Sequence, residues 1–256
     1  MNSSNREHLR TVLINLWVYP LLVVWTALSL VIAAPLVGFF MLRDGFTLDR
    51  AVRHIIWLYG KSWLLIIRPF VDFKVEKDPD IEVPRSCIYV INHLSFFDTY
   101  FMGALPHSDI TFAVRSWPFK MFWYRAYMHY GRYLDVEALP WDEIYRRGRA
   151  ALDNGGTVLF FPEGHRSRDG RLHRFYAGAF HLAVQSGYPI VPLCIVGTDI
   201  LLPPGRSYLK PARVRLRILP PVDSRRFSGE HAHRQLRQQV REEMARTIAA
   251  MQNHEQ

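Results

Sequence analysis

A chain of 256 residues, 49% of them apolar, can bury one sizeable core but not two large independent ones. Its two cysteines, Cys87 and Cys194, lie far apart with no second cysteine or histidine at metal-ligand spacing; this excludes a disulfide framework and a zinc site and fits a reducing, cytosol-facing domain. A formal net charge of +9 requires an anionic partner, which is nucleic acid, an acidic membrane surface or a phosphorylated substrate.

The amino-terminal segment selects among these. From Thr11 to Leu42 no side chain is charged and Leu, Val, Ile and Trp dominate, so the run belongs in lipid. It is about twice as long as the apolar core of a cleaved signal peptide, which points to retention. As one helix it reaches about 48 Å, beyond a hydrocarbon core of about 30 Å, so it must tilt, bend or turn back. Pro20 and Pro35 are natural kink points, and a re-entrant hairpin competes with a single tilted span. In a single span, Arg43, Arg50, Arg53 and Lys61 outnumber Arg6 and Arg10, which places the following domain in the cytoplasm, and a hairpin would leave it there too. The next stretch, Ile55 to Phe73, mixes Trp57, Tyr59, Trp63 and Leu64 with Lys61 and Arg68, and reads as a helix at the membrane interface or an ordinary core helix.

After residue 70, short β-branched runs alternate with helical stretches, the pattern of an α/β domain. Cys87 to Asn92 reads as a buried strand and Leu94 to Leu105 as a helix. Trp141 to Asn154 is a helix stopped by Gly155-Gly156, Thr157 to Phe161 a strand, and Ala177 to Ser186 a helix. Ile190 to Val196 and Val214 to Leu219 are two further strands, and Glu230 to Met251 closes the chain as a charged helix. The expected fold is α/β, with a mixed, largely parallel central sheet flanked by helices behind an amino-terminal membrane-embedded helical segment.

Two segments carry chemistry, each directly after a predicted strand, where α/β domains display functional groups. In Asn92-His93-Leu94-Ser95-Phe96-Phe97-Asp98, the carboxylate on the first helical turn can fold back to the imidazole and leave its other nitrogen as a base. That is the logic of a serine hydrolase triad whose hydroxyl comes from the substrate. The pair alone equally describes a core histidine beside a helix cap. The second segment, Phe161-Pro162-Glu163-Gly164-His165-Arg166-Ser167-Arg168-Asp169-Gly170, forces a turn, and its Ser167, Arg166 and Arg168 can hold a phosphate.

Together these segments resemble the glycerophospholipid acyltransferase family, including bacterial 1-acyl-sn-glycerol-3-phosphate acyltransferases, with their Asn-His-x-x-x-x-Asp and Phe-Pro-Glu-Gly-Thr-Arg-Ser boxes. The first box is complete, and the second has His165 where Thr is usual. The resemblance runs from about Val71 to about Val222 and includes Ile190-Val191-Pro192-Leu193. It implies a membrane-anchoring segment over 1–70 and an acyltransferase catalytic domain over 71–256. In that domain His93 is the base, Asp98 its orienting partner, and Glu163, Gly164, Arg166, Ser167 and Arg115 bind the substrate. The donor is a thioester on coenzyme A or acyl carrier protein, with no cofactor or metal. The acceptor is a lysophospholipid, 1-acyl-glycerol-3-phosphate first, and the partners are lipid, including anionic membrane lipid, rather than nucleic acid. Glu137 stands where the family usually has Arg, and the basic residue common near Phe175 to Phe180 is missing. Both departures favour a masked headgroup, a lysophosphodiester or amino-acid-containing lyso-lipid, as the alternative acceptor. Rival readings are a catalytically silent protein that binds anionic lipid, a hydrolase using the same base on water, and a nucleic-acid binder using the carboxy-terminal arginines.

Overall fold

The computed structural model describes residues 3–253. Helices α1 (Ser3–Asp44) and α2 (Leu48–Ile67) lead into strands β1 (Val71–Lys77) and β2 (Ile88–Ile91), the short helix α3 (Asp98–Phe101) and strand β3 (Ile110–Val114). Then come α4 (Trp117–Lys120), α5 (Phe122–Tyr130), β4 (Leu134–Asp135), α6 (Trp141–Asp153) and β5 (Thr157–Phe160). The chain ends with α7 (Gly178–Ser186), β6 (Ile190–Val196), α8 (Thr198–Leu201), β7 (Ala212–Ile218) and α9 (Ala232–Asn253).

The strands form one sheet in the order β1-β7-β6-β2-β5-β3-β4. From β6 to β4 every pairing is parallel; β7 pairs antiparallel with β6 and parallel with β1, so the strands at that side run the other way. This is the mixed, largely parallel α/β sheet that the alternation of elements predicts. Strands β2, β5 and β6 are buried along their whole length and read as unbroken apolar runs, as parallel strands covered on both faces do. In β7 only Val214, Leu216 and Ile218 are buried, while the intervening arginines point outward.

Tyr89, Ile91, Val191, Leu193 and Ile195 face one layer, where they meet Ile14 and Val18 of α1, Trp63 and Ile67 of α2, and Tyr100 and Phe101. Ile88, Val90, Ile190 and Cys194 face the other, covered by α6, α7 and α9 through Ile144, Phe180, Leu236 and Val240.

Helix α1 is continuous through Pro20 and Pro35, so the reversal within the apolar run that those prolines suggested does not occur. At about 1.5 Å per residue it is about 63 Å long. The chain turns back only after Asp44, at Gly45 with φ +64°, and α2 returns alongside. α1 is also docked on the domain. The side chain of Asn15 donates to the Leu209 carbonyl and accepts from its N–H, both at 2.8 Å. The indole of Trp17 donates to the Ile66 carbonyl (2.9 Å), and that of Trp25 to Ser62 Oγ (2.8 Å).

Three other expectations are corrected. The stretch Ile55 to Phe73 is not one helix, because α2 stops at Ile67 before Pro69 and β1 begins at Val71. Strands β1, β3 and β4 escaped the sequence reading. Leu94 to Leu105 is a loop, the single turn α3 and a 3₁₀ turn over Met102–Ala104. The buried guanidinium of Arg53 ties α2 to the start of β3 and the end of α5, bonding Asp109 Oδ1 at 2.5 Å and the Gly131 carbonyl at 2.9 Å.

Candidate active site

His93 follows β2, the Pro162 turn follows β5 and Arg115 follows β3, so three neighbouring parallel strands deliver all three to the same sheet edge. Asn92 fixes where β2 ends. Its side chain donates to the Ile195 carbonyl and accepts from the Ile195 N–H, both at 2.8 Å, extending the β2–β6 ladder by one rung.

Beyond Asn92 the chain curls around a carboxylate. Asp98 Oδ2 accepts from His93 Nδ1 at 2.7 Å, from the Leu94 N–H at 2.7 Å and from the Ser95 N–H at 2.9 Å. The side chain of Asp98 is 0% exposed and that of His93 18%. An acceptor-only carboxylate at Nδ1 assigns the proton to that nitrogen and leaves the Nε2 lone pair outward. Asp98 Oδ1 is buried without a partner among the described residues. The Phe161 ring lies against the imidazole, centroids 4.3 Å apart.

The second segment grips the backbone of His93 from both sides. Glu163 Oε1 accepts the His93 N–H at 2.9 Å, and the Ser167 N–H donates to the His93 carbonyl at 2.7 Å. Glu163 Oε2 accepts the His173 N–H at 2.9 Å. Glu163 and Ser167 are each 1% exposed, so these two residues, expected to contact the substrate, instead brace the histidine. Burial pushes the Glu163 carboxyl above its ordinary range, against the opposing pull of the His173 and His93 N–H donors. Ser167 Oγ donates to Asp169 Oδ1 (2.9 Å), which also accepts the Arg171 N–H (3.1 Å) and lies 3.0 Å from His173 Nε2.

Gly164 sits at φ +71°, in the left-handed region that favours glycine, and a Cβ there would come within 2.8 Å of Tyr176 Cε2, so a side chain would strain the turn. Arg166 and Arg168 stand exposed on it. His165 is exposed as well, its ring edge-on to His173 with centroids 5.9 Å apart. Arg115 is not the free cation expected at the substrate site. Its Nε lies 2.6 Å from Glu137 Oε1, and Glu137 Oε2 accepts the Ser116 N–H at 2.9 Å. The Ser116 N–H and then the Arg115 guanidinium hold Glu137 below the usual carboxylate range. Asp199, passed over in the sequence, stands after β6 at the same edge, where burial first and the charge of Asp98 with it push its carboxyl upward. Its position directly after an apolar strand was the available signal.

Fold and site together define an α/β protein that presents a histidine and carboxylate pair at the carboxyl edge of a parallel sheet. A family profile described as Acyltransferase matches residues 72–196, from β1 to the end of β6. A chloroplastic 1-acyl-sn-glycerol-3-phosphate acyltransferase of Brassica napus is 32% identical over 187 residues, covering 68% of this chain and 52% of that protein. The 1-acyl-sn-glycerol-3-phosphate acyltransferase of Salmonella typhimurium is 28% identical over 192 residues, covering 72% and 77%. The crystal structure of the 1-acyl-sn-glycerophosphate acyltransferase from Thermotoga maritima matches with a TM-score of 0.76 at 28% identity, over 96% of this chain and 98% of that one. Residues 72–196 thus form a domain of the acyltransferase family. The chain spans about half the length of the curated plant relatives it matches.

Proposed function

We propose that the protein moves a fatty acyl group from a thioester on coenzyme A or acyl carrier protein to the free hydroxyl of a lysophospholipid, with 1-acyl-glycerol-3-phosphate the first acceptor to test. The observation that carries this reading is the 2.7 Å bond from His93 Nδ1 to Asp98, which leaves Nε2 facing outward beside an arginine-bearing turn. Nε2 takes the hydroxyl proton as the oxygen attacks the thioester carbonyl. The new C–O bond forms, the C–S bond breaks, and the thiol leaves with the proton that Nε2 returns. Asp98 keeps the imidazole in the required tautomer and stabilises its charged form. Arg166 and Arg168 supply paired donors for the acceptor phosphate. Glu163 and Ser167 position the base rather than the substrate.

The exposed face of α1, with Leu16, Val23, Val24 and Val31, rests in a membrane. A crossing helix needs about 20 residues surrounded by lipid. α1 is pinned at Asn15, Trp17 and Trp25 and again by Phe40, whose ring lies 4.6 Å from that of His54 on α2. A helix tied to the domain at Asn15 and along its length to α2, which itself packs on the sheet, lies on one leaflet, with the domain on the cytoplasmic side.

Purified full-length protein, an acyl thioester and a panel of lyso-lipids should give diacyl product. His93→Ala should abolish it, and Asp98→Asn should lower kcat by about 10²- to 10⁴-fold with little change in KM. Unchanged turnover in His93→Ala overturns the mechanism. One observation favours a second acceptor class. Because Glu137 matches the charge of Arg115, a lysophosphodiester or amino-acid-containing lyso-lipid fits this edge better than a doubly charged phosphomonoester, and the panel separates the two.

A further inference from the structure

The segment between β3 and β4 differs from the rest of the surface. From Arg115 to Arg132 it contains no Asp or Glu, but four basic residues and a dense run of aromatics. Helix α5 buries Met128 and turns Phe122, Ala126 and Tyr130 outward in one stripe, with Phe122 83% exposed and Tyr130 58%. Trp123 packs edge-on against Phe122, their centroids 4.6 Å apart. Lys120 and Arg125 flank the stripe, both exposed. Single exposed aromatics need no explanation, whereas an apolar stripe that carries several exposed aromatics and is flanked by cations marks an interaction site.

Its place in the fold says what covers it. The Trp117 ring lies 6.2 Å from that of Phe96, in the loop that joins His93 to Asp98. At its other end α5 abuts α2, since Arg53 donates to the Gly131 carbonyl at 2.9 Å and a Cβ on Gly131 would lie 3.4 Å from Val52. The stripe therefore shares the sheet face that carries α1 and α2 and flanks the mouth of the site. Aromatic rings with Lys and Arg but no acid suit the headgroup boundary of an anionic bilayer, where rings sit at the polar level and cations meet lipid phosphates.

We propose that α5 is a second membrane-contact surface, which seats Phe122 and Trp123 at the headgroup boundary of an anionic bilayer and holds the His93 and Asp98 site against the lipid that delivers its substrate. The proposal rests on the membrane reading of α1 but not on acyl transfer.

Both native cysteines are fully buried, so a thiol-reactive fluorophore should label only an introduced cysteine. Full-length protein carrying Phe122→Cys, or Gln239→Cys on α9 as control, is labelled with a small environment-sensitive dye. Each is mixed with vesicles of phosphatidylcholine and phosphatidylglycerol in equal parts whose acyl chains carry bromine as quencher. The expected result is several-fold stronger quenching at position 122 than at 239. Adding Lys120→Gln and Arg125→Gln should weaken quenching at 122, each cation near an anionic surface being worth about a fivefold change in partition. Membrane-bound protein whose position 122 is quenched no more than 239 overturns the proposal. So does a concentration-dependent emission shift without vesicles, which would show a second copy covering the stripe. Protein left wholly in the supernatant overturns the anchoring by α1 and this proposal with it. No acyl donor or acceptor is present, so the outcome is independent of whether acyl transfer is found.

Discussion

Glu163 brings a carboxyl group into a buried place and spends both oxygens on main-chain N–H groups, one of them that of His93. Two consequences follow at the scale of the residue. The first concerns pH: with its folded-state pKa raised above its ordinary 4.5, this carboxyl contributes stability that is fully present below that value and lost as pH rises through the raised one. The second concerns isosteres. In Glu163→Gln the amide oxygen still accepts one N–H, but the amide nitrogen faces the other donor and leaves it unsatisfied, at a cost of about 1–3 kcal/mol. Urea unfolding of both forms at several pH values should show the variant less stable at neutral pH and lacking the fall in stability contributed by this group. An unchanged pH slope would mean that the ionisation of Glu163 is not linked to folding. On the proposed mechanism, turnover should fall with kcat rather than KM, because what loosens is the seat of His93 and not the grip on substrate.

At the scale of the element, the loop that holds the site is pressed against α2 through two glycines. A Cβ on Gly103 would lie 2.4 Å from the Lys61 nitrogen and 2.6 Å from the Gly60 carbonyl carbon, and one on Gly60 would lie 3.1 Å from the Tyr100 carbonyl oxygen. Backbone meets backbone there, so Gly103→Ala must part α2 from the turn that follows Asp98. A loss of about 1–3 kcal/mol or more is expected, seen as a lower thermal midpoint together with reduced turnover. An alanine variant of native stability would show that this contact is not close in solution. Such contacts also mark where the sequence stops being readable. Strands β2, β5 and β6 announce themselves as unbroken apolar runs because both of their faces are covered. β1, with Asp72, Lys74 and Lys77 exposed among its apolar positions, merged with the helix before it, although Pro69 was the available stop signal. The loop after His93 was misread as helix because the Leu94 and Ser95 N–H groups are claimed by Asp98, a bond between residues that local propensity does not weigh. His93 and Asp98 were legible because both lie in one short box. That Glu163 and Ser167 face the histidine was not, since it depends on β2 and β5 being parallel neighbours in a fixed register, and sheet register is a property of the assembled core. The pairing of Arg115 with Glu137 was hidden for a related reason: β3 and β4 lie side by side, and the sequence did not show β4 at all.

For the molecule as a whole, α1 is both the helix with the exposed apolar face and part of the core. Ile14 and Val18 are fully buried against the sheet layer, worth about 3–6 kcal/mol together, and Asn15 completes the backbone bonding of Leu209. Deleting residues 1–44 should therefore yield a domain that aggregates rather than one released cleanly into solution. Gel filtration in and out of detergent tests this, and a monodisperse, folded truncation would show that the docking of α1 is dispensable. The docking also sets an order of events during synthesis. Asn15 and Leu209 stand 194 positions apart, so at about 5–20 residues per second α1 has left the ribosome roughly 10–40 s before its partner exists. For that interval only α2 among its partners has been made, and the face of α1 that later meets Leu209 and the sheet layer is still uncovered. On the membrane reading of α1 proposed above, translation puts the protein on the membrane first and lets the sheet close onto an already seated helix, so a nascent chain stalled after β6 should be found on lipid with its core still open.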